Sequence, residues 1–159
     1  MDSEVRLLLD RTDNELITAK ALKKISEEAD LKDNLSIPSQ TTFYSAVISH
    51  AYYSIFYSAK AALLSAGIRI SSPFIHNKAY DKFKKTLVDS GKLDRHILEV
   101  YEIALVRAED LLQIMKDEKI KGGKFTYKTL PQANKDPAEE SINNAILFVS
   151  HIKDMLIHH

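Results

Sequence analysis
The sequence predicts an all-α protein, an up-and-down bundle of four long helices and one short one, on three observations. Only four Gly and four Pro occur in 159 residues, too few for a chain rich in turns and strands. Apolar residues recur at spacings of three and four along four long segments, the period of a helix with one buried face. One of those segments is apolar over more than one face and has a single formal charge, as a central helix has.

The first predicted helix covers residues 3–29. Val5, Leu8, Leu9, Leu16, Ala19, Leu22 and Ile25 keep the helical spacing, and Asp2 or Ser3 supplies an N-cap. Asn34 and Pro38 then mark a loop. The central helix is expected over 41–66, with Phe43, Tyr44, Val47, Ile48, Ala51, Tyr52, Ile55, Phe56, Ala59, Ala62 and Leu63 apolar and Lys60 its one charge. Gly67 ends it, since glycine tolerates the left-handed conformation that closes a helix. Ser54, Ser58, Ala61 and Ser65 form a strip of small residues suited to close helix packing, within the bundle or across a homodimer.

A short helix follows over 77–90, with Tyr80, Phe83, Leu87 and Val88 inward. The next starts at Asp94 and carries Ile97, Leu98, Tyr101, Ala104, Leu105, Ala108, Leu111, Leu112 and Met115. Residues 119–135 are non-periodic. The last helix is expected to open at Asp136 as N-cap, with Pro137 at the first helical position and Glu139 at the third. Its core stripe is Ile142, Ala145, Ile146, Val149, Ile152 and Leu156. Residues 1–159 read as one domain, the usual outcome for this length.

Composition excludes several classes. With no Cys there is no disulfide framework, thiolate zinc site or Cys nucleophile. Twenty-two basic and 22 acidic residues balance, so no global field draws the protein to nucleic acid or anionic lipid. No apolar run approaches the ~20 residues that span a bilayer, and the acidic, amphipathic start is unlike a signal peptide. A cytoplasmic protein with no membrane contact is expected. There is no Walker loop, dinucleotide fingerprint or nucleophile elbow, and no cofactor is implied. His96-x-x-Glu99 and His151-x-x-Asp154 each put two ligands on one helical face, but the core stripes lack the inward carboxylates of a bundle metal site. No metal is expected.

The run His50-Ala51-Tyr52-Tyr53-Ser54-Ile55-Phe56-Tyr57-Ser58-Ala59-Lys60-Ala61-Ala62-Leu63-Leu64, closed by Gly67, resembles the signature helix of HEPN-domain proteins. The likeness continues in order through His76 before the next helix, Phe83 within it, the turn at Gly91, Arg107 late in the following helix and a closing helix over 139–156. The resemblance covers residues 5–156 and is to the small stand-alone prokaryotic and archaeal members. It implies a homodimer and a partner that is a minimal nucleotidyltransferase, as in toxin–antitoxin pairs. It also implies a non-catalytic or weakly active module for interaction and for nucleotide or RNA binding. On that resemblance Arg107, His76, Lys121, Lys124 and Tyr127 would meet a phosphate, Tyr127 supplying a ring from beyond Gly122-Gly123.

Two alternatives stay open. Ribonuclease members of the superfamily carry Arg, four to six residues, then His, and Arg69 and His76 have that spacing. Metal-free RNA cleavage needs a proton-transfer group and a cation for the phosphorane charge, roles for His76 and for Arg69 or Arg107. Alternatively, His76 packs or caps, Arg69 is solvated, and the protein is a purely structural dimeric bundle. Tyr52, Tyr53, Phe56 and Tyr57, paired by i,i+4 spacing, are either core or dimer packing or a stacking platform for bases. The lysines flanking Gly122-Gly123, interleaved with Phe125 and Tyr127, suit a phosphate or a solvated surface equally.

Overall fold
A computed structural model describes residues 1–120 and 134–158, with side chains to residue 111 and from 134. Leu112 and Met115, expected inward, lie outside the described side chains. All regular structure among the described residues is helical: α1 (Ser3–Glu27), α2 (Ala29–Asn34), α3 (Tyr44–Ser65), α4 (Ile75–Phe83, continued by a π-helical turn Lys84–Val88), α5 (Arg95–Ile120) and α6 (Lys135–His158). Four of these have more than twenty residues: 25, 22, 26 and 24 for α1, α3, α5 and α6.

The helix ends follow capping chemistry. Asp2 Oδ1 accepts from the Glu4 N–H at 2.8 Å, and Asp94 Oδ1 accepts from the His96 N–H at 2.7 Å. Each satisfies a donor that has no intrahelical acceptor. At the end of α3 the Ile68 N–H reaches Leu63 O and the Gly67 N–H reaches Leu64 O, both at 2.9 Å, with Gly67 at φ 81°. These two bonds are a Schellman closure, which a left-handed glycine makes without strain.

Several boundaries differ from expectation: α1 ends at Glu27, and α4 begins at Ile75, so that His76 lies in its first turn and not in the loop before it. The loop after α1 contains α2, tied down because the ammonium of the buried Lys32 donates to Ser39 O at 2.9 Å. The central helix starts at Tyr44, where the Ser26 hydroxyl accepts the Phe43 N–H at 2.8 Å. The last helix begins before Asp136: Asn134 O accepts from the Ala138 N–H at 3.1 Å. Asn134 is therefore the cap and Pro137 the third helical residue, a position whose missing N–H would have had no partner.

α3 is the hub. It packs against α1, α4, α5 and α6, most extensively against α1. Its buried residues come from nearly all sides and include Ser54, Ser58 and Ala61 of the small-residue strip. α1 buries Val5, Thr12, Ala19 and Ser26, one small residue every seventh position. Small side chains on both helices let the backbones approach closely. Ser54 and Ser58 turn their hydroxyls back to Ala51 O and Ile55 O, so burying them leaves no donor unsatisfied. Three of the strip's four residues are thus buried inside the fold, and Ser65 is exposed. On the other flank Phe83, Tyr101 and Phe148 form a buried ring cluster with centroids 5.3 to 5.5 Å apart. The π-helical turn after Phe83 carries both Leu87 and Val88 into the core.

Candidate functional site
The largest concentration of chemistry borders a cavity of about 580 Å³ between α3, the start of α4 and α5. α3 contributes Ser49, Tyr52 and Tyr53, α4 contributes His76 and Asn77, and α5 contributes Leu105 and Glu109. Phe74, in the left-handed conformation at φ 57° and largely exposed, stands at the rim. The cavity is walled by aromatic and aliphatic groups, with an imidazole, an amide and one carboxylate, and its described lining has no Lys or Arg.

Helical spacing builds the wall. Tyr52 and Phe56 stack at 6.3 Å between centroids, Tyr53 and Tyr57 at 6.2 Å. Tyr52 and Phe56 are buried, Tyr57 is half-buried and Tyr53 is exposed. The His76 ring lies 4.4 Å from Phe56 and 5.5 Å from Tyr52. The Tyr52 hydroxyl is 2.6 Å from His76 Nδ1.

Burial pushes the Tyr52 phenol well up, helped by Tyr53 and Glu109. Burial likewise pushes His76 below the ordinary histidine range, with Glu109 opposing and Lys60 assisting. With both groups neutral, either the phenol donates to Nδ1, which places the ring proton on Nε2, or Nδ1–H donates to the phenol oxygen.

The other residues expected at a site are elsewhere. Arg69 is exposed and bridges to Glu4 at 2.7 Å, bordering a separate groove with Leu7, Leu8, Lys60, Leu64, Ile68 and Ile70. Arg69 and His76 border different cavities, and Glu4 of α1 holds the guanidinium. Arg107 faces α6, donating to Ser141 Oγ at 3.2 Å and pairing with Glu140 at 3.3 Å. Its neighbour Glu109 is the charged α5 residue that reaches the cavity, because residues two apart on a helix point to different faces. Lys121, Lys124 and Tyr127 lie outside the described residues, as do Gly122-Gly123 and His159.

His96 and Glu99 approach to 3.6 Å with both side chains exposed, and His151 Nδ1–H donates to Leu147 O. Among the described residues no three His, Asp or Glu side chains converge. No helix of the described residues is long and apolar enough to cross a membrane.

Three side chains near the aromatic wall drew little notice in the sequence. Glu109 was hidden by its neighbour Arg107. Lys60 stood out only as the lone charge of α3; its Nζ lies 5.6 Å from the Phe56 ring. Arg11 comes from α1, donates to the Tyr57 hydroxyl at 2.8 Å and lies 4.3 Å above that ring. A polar residue on the charged face of an amphipathic helix has no local signal that separates it from its neighbours. Comparison with protein-family models, curated proteins and solved structures finds no match.

Proposed function
We propose that this chain is a HEPN-like up-and-down helical bundle that binds a nucleobase, of a nucleotide or of RNA, in the cavity between α3, α4 and α5, and does not cut it. The observation that carries the proposal is the Tyr52–His76 pair on the aromatic wall. In the tautomer that accepts the Tyr52 proton at Nδ1 and carries its own proton on Nε2, His76 has no free lone pair for a general base. Its depressed basicity also makes it a poor proton reservoir at neutral pH. It is arranged as a hydrogen-bond donor instead. Tyr53 and Phe74 offer exposed ring faces for stacking, and Glu109 offers a carboxylate to N–H groups on a base edge. The absence of Lys and Arg from the described lining argues against a phosphate inside the cavity itself.

The family resemblance adds a homodimer and a minimal nucleotidyltransferase as partner, in the manner of toxin–antitoxin pairs. Ile103 and Val106, apolar and exposed on α5, are available for such contacts.

Two measurements test the proposal. Incubation of the purified protein with RNA in EDTA should leave the RNA intact; cleavage that disappears in His76→Ala would make it a ribonuclease instead. Calorimetric titration with the four nucleosides and their 5′-monophosphates should give saturable binding, weakened roughly tenfold or more by Tyr53→Ala, since base–aromatic stacking contributes ~1–3 kcal/mol. No binding up to millimolar concentration would refute it.

A further inference from the structure
The aromatic row on α3 does not stop at the cavity. It continues along the helix from Tyr53 to Tyr57 and ends at two cations, Lys60 of α3 and Arg11 of α1. Both lie over aromatic rings of α3. Arg69, Arg95, Arg107, Lys23 and Lys153 each have a carboxylate partner. Neither Arg11 nor Lys60 has one among the described residues. The Lys60 amine is half-buried against apolar Leu64, Ile68 and the Phe56 ring. Its basicity is pushed down by that burial and by Arg11. Two like charges, one partly desolvated and facing the other, are a standing repulsion that an anion between them would relieve, more strongly than in open water. The Tyr57 hydroxyl, already accepting from Arg11, has its own proton to donate to that anion.

We infer that Arg11 and Lys60, with the Tyr57 hydroxyl, form a phosphate subsite for the ligand whose base enters the cavity, so that the ligand is a nucleotide or a phosphate-ended RNA rather than a free base or nucleoside. This rests on the cavity's taking a base, as proposed above. The span suits it: Tyr53 and Lys60 are seven residues apart, about 10 Å of helix rise, comparable to a nucleotide from the outer edge of its base to its phosphate. Phe56 joins the two ends, with His76 at 4.4 Å from its ring and Lys60 Nζ at 5.6 Å. It also explains how a cavity without basic lining can belong to a nucleotide site.

The test uses calorimetry on the full chain with nucleosides, the matching 5′-monophosphates, inorganic pyrophosphate, and a short RNA with and without a 5′-phosphate. Monophosphates should bind at least tenfold tighter than nucleosides. Lys60→Gln and Arg11→Gln should remove that advantage, whereas Arg11→Lys, which keeps the charge, should retain most of it. Circular dichroism of each variant guards against unfolding. Pyrophosphate should bind the wild type saturably and the double variant not at all. A preference for the 5′-phosphorylated RNA over the monophosphates would make an RNA end the source of the phosphate; the reverse would make it a free nucleotide. Equal affinity for nucleoside and monophosphate, or an advantage that survives both Gln variants, would overturn the subsite while leaving the cavity's role intact. Pyrophosphate binding lost in the variants, without any nucleoside binding, would retain the anion subsite and refute the cavity. No binding of any probe would overturn both.

Discussion

At the scale of single residues, His76 decides most. Around it stand the Tyr52 hydroxyl, the Phe56 ring, the Glu109 carboxylate and the Lys60 ammonium. Because burial lowers its affinity for protons in the folded state, unfolding takes up a proton at mildly acid pH. The neutral ring's contribution to stability is therefore fully present above about pH 6.5, the ordinary histidine value. It is lost as pH falls through the lower folded value. Denaturant unfolding at pH 7.5 and pH 5 should show a loss at pH 5 that His76→Phe reduces. NMR titration of the ring should find a midpoint below 6.5. Tyr101 is a second case: its hydroxyl is fully buried and has no hydrogen-bond partner among the described residues. Such a group costs about 1–3 kcal/mol, so Tyr101→Phe should keep the Phe83–Phe148 packing and leave stability unchanged or raised by about 1 kcal/mol, readable in the melting temperature. The sequence singled out His76 and the tyrosine row because helical spacing and residue type are local. The spacing that offered Arg69 as a partner of His76 left out Glu4, which holds that arginine from 65 residues away in the chain.

At the scale of elements, α3 is both the most legible helix and the most constrained. Its nearly all-round apolarity announces a central position, and Gly67 and Asp94 mark ends that the backbone bonds bear out. α2, the π-helical turn and the cap at Asn134 were not legible. Two of them depend on a bond to an unremarkable group: α2 on Lys32 to Ser39 O, and the cap on Asn134 through its backbone carbonyl alone. Ser58→Leu should destabilise by roughly 2 kcal/mol or more, because Ser58 is fully buried in the centre of α3, the packed hub, where a larger branched side chain overpacks the core. Gly67→Ala should cost about 1 kcal/mol through left-handed backbone strain alone, as nothing lies within 4 Å of where its Cβ would sit. Equilibrium urea unfolding separates the two: the first change lies in the core, the second at an exposed helix end.

At the scale of the whole molecule, zero net charge conceals an uneven arrangement, with five of the described Lys and Arg side chains on carboxylates and two beside an aromatic row. Counting charges missed that, since pairing is a property of the folded surface. A homodimer of the kind proposed would scatter light as about twice the 18.0 kDa chain mass, and Val106→Glu, at an exposed apolar position on α5, should shift it toward the single-chain value. A single-chain mass at high concentration would refute the dimer. α3, finally, is at once a wall of the cavity and the helix against which α1, α4, α5 and α6 pack. A molecule that settles in the cavity therefore braces the centre of the fold, and at a hundred times its dissociation constant it should add about 2.7 kcal/mol to the free energy of unfolding. For a chain of this size that is a rise of several degrees in melting temperature, so heating the protein in the presence of one small molecule after another would let its own collapse report which of them it was built to hold.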